Sequence, residues 1–179
     1  MAALFQIILL IANAGSTFLG GLLLMRFFMQ LCRAPFDTSV GGFVLNLTNW
    51  MVLPLRRVIP AIRRFDTASL VAAYLLQILL LTLVFALSAN HALDGETLPK
   101  IAIDGVLVLV RMSTYLYIIL MIAQAMLSWF NPHAPLGRLI GCLTAPVLAP
   151  LQRVIRPISG IDLTPMIAIL LAQIILILV

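Results

Sequence analysis

The chain has 179 residues, of which 63% are hydrophobic and only 9% charged, far from the roughly 25% charge of soluble domains, so composition alone places it in a bilayer. Its net charge of +5 and pI near 10 come without the aromatic-interleaved basic surface that holds nucleic-acid bases, which excludes nucleic acid and leaves anionic lipid headgroups as the simpler partner. Two cysteines, Cys32 and Cys142, are too few for a disulfide scaffold and read as reduced core residues.

Taken in order, the first element is an apolar stretch from Ala2 to Met25 with no basic n-region. It exceeds the usual signal-peptide core of about 7 to 15 residues, so it is expected to remain as a membrane helix. Four segments have the length and apolarity to cross a core of about 30 Å: Ala3 to Met25, Ala68 to Ala89, Gly105 to Trp129 and Leu163 to Val179. The last is the shortest, with Thr164 and Pro165 suited to its first turn.

The connections set the topology. Arg26 to Thr67 holds six arginines against two aspartates, Phe130 to Asp162 three against one, and Asn90 to Asp104 one lysine against three acids. By the positive-inside rule the first and third connections are cytoplasmic, and both termini and the middle loop face outward.

Within the basic connections, Val40, Phe43, Val44, Leu47 and Met51 fall on one helical face, and Leu136, Leu139, Ile140, Leu143 and Val147 repeat the pattern. Each predicts a surface helix too short to span. Asp37, Thr38 or Ser39 can cap the first, and Pro135 suits the start of the second. Prolines 54, 60, 146, 150 and 157 are expected to end these helices in an irregular turn.

The connections also carry a repeat. Pro54-Leu55-Arg56-Arg57-Val58-Ile59 recurs 96 positions later as Pro150-Leu151-Gln152-Arg153-Val154-Ile155. At the same offset Thr48 matches Thr144, Asp66 matches Asp162, and Gln77-Ile78 match Gln173-Ile174. The predicted fold is therefore an all-α membrane protein with four transmembrane helices in two parallel tandem repeats, residues 1–96 and 97–179. Each repeat carries an interfacial amphipathic helix and a Pro/Arg elbow.

Arg56, Arg57, Arg63, Arg64, Arg153 and Arg156 cluster at the elbows, where guanidinium groups suit a lipid phosphate, a nucleotide or an acidic protein segment, or serve as topological charge alone. Asp66 and Asp162 each precede a span, as helix cap and as ion-pair partner of Arg57 or Arg153. Gln77 and Gln173 fall near mid-bilayer, where an amide packs against a neighbouring helix or lines a polar path. Arg111, the sole ionisable residue well inside a predicted span, is expected to snorkel outward or pair with Asp104. His91 and His133 fall on opposite sides of the membrane, and no nucleotide, zinc-protease or hydrolase motif occurs. No enzyme, metal or cofactor is expected.

These paired motifs, with Ser128-Trp129-Phe130-Asn131-Pro132 before the second copy, resemble the YggT family of small bacterial membrane proteins, related to plastid YlmG proteins. The first copy departs from the pattern: Asp37-Thr38 stands for Asn-Pro, Trp50 for the proline at 146, and Ala68-Ser69 for Thr164-Pro165. The resemblance implies a multi-pass bacterial inner-membrane protein without an established reaction, with links to osmotic-stress tolerance, ion uptake, division, or nucleoid and thylakoid organisation. The expected function is a scaffold or assembly factor that binds anionic lipid or a membrane-protein partner, or associates with itself. The alternative is a small oligomeric channel or transporter past Gln77 and Gln173.

Overall fold

The computed structural model describes residues 2–59, 65–88, 97–130, 135–154 and 163–179. These form six helices: α1 (Ala2–Leu31), α2 (Ser39–Val58), α3 (Thr67–Ser88), α4 (Thr97–Phe130), α5 (Pro135–Val154) and α6 (Thr164–Leu178). Three of them, α1, α3 and α4, contain stretches long and apolar enough to cross a membrane. α6 has 15 residues, short of the roughly 20 that a bilayer core requires.

α1 runs about 45 Å at 1.5 Å per residue over its 30 residues. It outlasts the expected span, so Arg26 and Gln30 stand on the helix and not in a loop. The helix stops where Arg33 enters the left-handed region at φ 54°. Arg33 N–H donates to the Gln30 carbonyl and Ala34 N–H to that of Met29, at 3.2 and 2.8 Å, the paired bonds of a Schellman ending. Ala34 and Met29 also share one buried cluster, the apolar contact that accompanies this motif. Five residues later Thr38 caps α2, its hydroxyl accepting from Gly41 N–H at 3.1 Å.

The expectation that prolines end the surface helices is corrected for three of them. α2 continues through Pro54, and α5 through Pro146 and Pro150. An internal proline removes one backbone hydrogen bond, and here each helix continues past the loss. Prolines 60 and 157 lie outside the described residues. α4 likewise starts earlier than expected, at Thr97. Pro99 then lies in the first turn, where the N–H groups have no intrahelical acceptor.

Packing joins sequence neighbours and also elements further apart in the chain. α1 lies against α2, α3 and α4, and α4 also carries α3, α5 and α6. Leu23, Leu24, Val52, Ala68, Ala72, Ala73 and Leu109 close one core where α1, α2, α3 and α4 meet. Met29, Ala34, Leu120, Leu139, Ile140 and Leu143 close a second that ties the end of α1 to α4 and α5. A third, smaller one of Met121, Leu148, Ala168 and Ala172 seats α6. The ends of α1 and α4 therefore lie together, with α2 and α5 attached at that same end of the bundle.

Candidate functional site

At that end the sequence assembles a buried polar cluster from three helices. Val44, Thr48 and Val52 form the buried stripe of α2 at four-residue spacing, and Arg56 is the next position of the same stripe. Its guanidinium therefore turns inward, whereas Arg57, about 100° further round the helix, is exposed. Asp66, fully buried, stands immediately before α3. Arg56 Nη2 donates to Asp66 Oδ2 at 2.7 Å and Arg56 Nε to Oδ1 at 3.3 Å, the two-pronged geometry that guanidinium and carboxylate favour.

Arg26 of α1 approaches the same carboxylate, with Nε 3.5 Å from Oδ2. Only 2% exposed, it also donates through Nη1 to Thr48 Oγ1 at 2.8 Å and Asn49 Oδ1 at 2.9 Å. Thr48 in turn donates to the Val44 carbonyl at 2.6 Å. Arg56 Nη2 reaches Gln30 Oε1 at 3.1 Å, and Ser69 donates to Asp66 Oδ2 at 2.6 Å. Burial pushes the Asp66 carboxyl upward, but the hydrogen bonds from Arg56 and Ser69, with the charges of Arg56 and Arg26, outweigh it and leave its pKa below the ordinary value. Two cations against one anion leave the cluster with a net positive charge.

The ion pair expected between Asp66 and Arg57 is thus made by Arg56 and Arg26 instead, and the reason is helical phase. Arg57 and Arg153, in the last turns of α2 and α5, are both exposed and make no ion pair among the described residues. Arg63, Arg64, Arg156 and Asp162 lie outside the described residues. Sequence reading did not single out Arg26, Gln30, Asn49 or Ser69. The available signal was the four-residue spacing of Arg26 and Gln30 at the end of an apolar helix, which puts both on one face.

The second half builds something else at the corresponding place. Thr144 donates to Gln124 on α4 and to the Ile140 carbonyl at 2.9 Å, as Thr48 does to the Val44 carbonyl. But the positions 96 after Arg26, Asn49, Arg56 and Ser69 are Ile122, Ala145, Gln152 and Pro165. The side chains of the buried ionic cluster belong to the first half.

The intramembrane polar residues separate. Gln77 is buried at 2% exposure, with Nε2 donating to Met112 Sδ at 3.3 Å. Gln173 is exposed on α6. Arg111 is also exposed and donates to the Val179 backbone oxygen at 2.7 Å, not to Asp104. Among the described residues no group of three or more His, Cys, Asp or Glu is placed to hold a metal. An apolar groove of about 790 Å³ runs between α3, α4, α5 and α6, past Leu70, Tyr74, Met121, Leu151 and Leu171.

Helices of this length and apolarity define a membrane protein of the small multi-helix kind. The CCB3/YggT family model matches residues 1–87 and 103–179, and the chain belongs to that family. It is 33% identical over 154 residues to the "Uncharacterized protein YggT" of Escherichia coli K12, covering 86% of this chain and 78% of that protein. An uncharacterized protein of Pseudomonas aeruginosa is 30% identical over 156 residues, covering 86% and 78%. One of Vibrio alginolyticus, described as lying in the proC 3' region, is 28% identical over 142 residues, covering 79% and 76%. No solved structure matches the chain.

Proposed function

We propose that the chain is a non-enzymatic scaffold of the bacterial inner membrane that holds anionic lipid, or the acidic surface of a membrane-protein partner, at its cytoplasmic face. The observation that carries this reading is the sorting of the arginines. Arg26 and Arg56 turn inward onto Asp66, while Arg57 and Arg153 stay exposed at the same end of the bundle with no ion pair among the described residues.

In this reading the chain is two tandem repeats, 1–96 and 97–179, and α6 is the fourth span. α2 and α5, both 20 residues and offset by 96 at each end, lie in the membrane interface. Their arginines then meet lipid phosphate. Trp50 and Phe43, exposed on α2 at 65% and 52%, suit the headgroup level. The role belongs to osmotic-stress tolerance or cell division, as the resemblance to YggT proteins implies. The alternative of a conducting path past Gln77 and Gln173 has no observation in its favour, since Gln77 is engaged with Met112 and α6 packs on α4 and α5.

Native mass spectrometry of protein released from phosphatidylglycerol bilayers tests the proposal. An arginine near an anionic surface contributes about 1 kcal/mol, so Arg57→Gln/Arg153→Gln together should weaken phosphatidylglycerol retention about 30-fold. Unchanged retention would count against the scaffold.

A further inference from the structure

We propose that copies of this chain associate head to tail in the membrane, the Leu170–Gln173–Ile174 face of α6 in one copy docking on the Gln6–Asn13 face of α1 in the next. The inference rests on the tandem-repeat part of the reading above and is independent of its arginines.

The contact exists once inside the chain. Where α3 meets α4, the Tyr74 hydroxyl donates to the Ala102 carbonyl at 3.0 Å and Gln77 reaches Met112. Gly105 backs so closely onto this face that a Cβ there would lie 3.1 Å from the Tyr74 ring and 3.3 Å from Ile78. Leu109 is buried beside Ala72 and Ala73 in the same seam.

A shift of 96 residues turns Tyr74, Gln77 and Ile78 into Leu170, Gln173 and Ile174, and Ala102, Leu109 and Met112 into Gln6, Asn13 and Ser16. The α6 surface is open: Leu170 and Ile174 are each 53% exposed, and Gln173 is exposed with them. On α1, Gln6 and Asn13 are exposed too. α6 packs on α4 and α5, and α1 on α2, α3 and α4, so neither open face covers the other within one copy. The helix positions that meet in the α3–α4 seam are therefore open on α6 and α1, with Leu9 standing where Gly105 does and Leu170 where Tyr74 does, so the contact between copies is more apolar than the one inside the chain.

The chemistry of the two faces agrees. Asn13 and Gln173 are amides exposed within apolar helices, where lipid offers no hydrogen bond and a neighbouring helix can. Gly15 has nothing within 4 Å of where a Cβ would stand, and Ala14 and Thr17 beside it are small and exposed, which permits close approach of a second helix. Because the two surfaces differ, the association is heterologous: it closes into a ring or continues from copy to copy.

Disulfide trapping in native membranes tests this with the full chain in a Cys32→Ala/Cys142→Ala background. Differently tagged copies carrying Asn13→Cys or Gln173→Cys are co-expressed and oxidised, with Ile119→Cys, 62% exposed on α4, as the collision control. The expected result is a heterotypic Asn13→Cys to Gln173→Cys dimer, with homotypic dimers no stronger than the control. Homotypic dimers in excess, or heterotypic ones no stronger than the control, would overturn the proposal. Unfolding midpoints of the two variants verify that they fold. Lipid retention through Arg57 and Arg153 is read separately, so the two proposals fail by different measurements.

Discussion

Asp66 is the residue on which the cluster depends. Removing one member of a buried ion pair strands the other, at a cost of about 3 to 5 kcal/mol. Asp66→Ala strands two guanidinium groups, of which Arg26 is 2% exposed, and should lower stability by about that amount in denaturant unfolding in detergent. Arg57→Gln, at an exposed position, should change stability by less than about 0.5 kcal/mol. Acid acts through the same carboxylate. Its pKa is depressed in the fold, so its stabilisation is present above the unfolded value of about 3.9 and fades as pH falls through the lower folded value. Unfolding midpoints measured between pH 7 and pH 3 should show this acid loss in the wild type, and it should be missing from Asp66→Ala. This residue was legible in the sequence as an ion-pair partner, but its true partners were not. Choosing Arg56 over its neighbour needs the phase of α2, and that phase is set by burial of Gly41, Val44, Thr48 and Val52. The sequence pattern is equally compatible with the face through Val40, Phe43, Leu47 and Met51, of which Phe43 proves exposed.

At the level of elements, two short segments decide how α1 hands over to α2. Arg33 holds a left-handed conformation that costs a non-glycine residue about 1 to 2 kcal/mol. Arg33→Gly should therefore stabilise the protein by about 1 kcal/mol, read as a rise in its thermal midpoint. Gly41 sits where the chain doubles back: a Cβ there would stand 2.6 Å from the Phe36 carbonyl oxygen, a backbone atom that cannot swing aside. Gly41→Ala should lower the midpoint. Gly42→Ala, with nothing within 4 Å, should raise it by up to about 1 kcal/mol equivalent, the helix propensity difference. The helices themselves were readable from apolar length, and Thr38 was among the expected caps. Their ends were not, because Arg33 carries no glycine signal and because α2 and α5 run through prolines that normally mark a stop. Misplacing the end of α1 is what hid Arg26 and Gln30 as site residues.

For the whole molecule, membrane character and family follow from composition and the paired motifs, and both agree with the long apolar helices and the family match. The 96-residue offset predicts like halves, yet the buried ionic cluster uses Arg26, Asn49, Arg56 and Ser69, whose counterparts are Ile122, Ala145, Gln152 and Pro165. Charge therefore enters the two halves differently, while the exposed Arg57 and Arg153 are common to both. The central claim is that these two exposed arginines, and not Arg26 and Arg56, which are paired with Asp66, select anionic partners. Electron spin resonance of spin-labelled phosphatidylglycerol and phosphatidylcholine in reconstituted bilayers tests it most directly, by comparing the lipid immobilised at the protein surface. The account predicts that wild type prefers phosphatidylglycerol, that added salt weakens the preference, and that Arg57→Gln/Arg153→Gln abolishes it. A preference that survives the double substitution would contradict it.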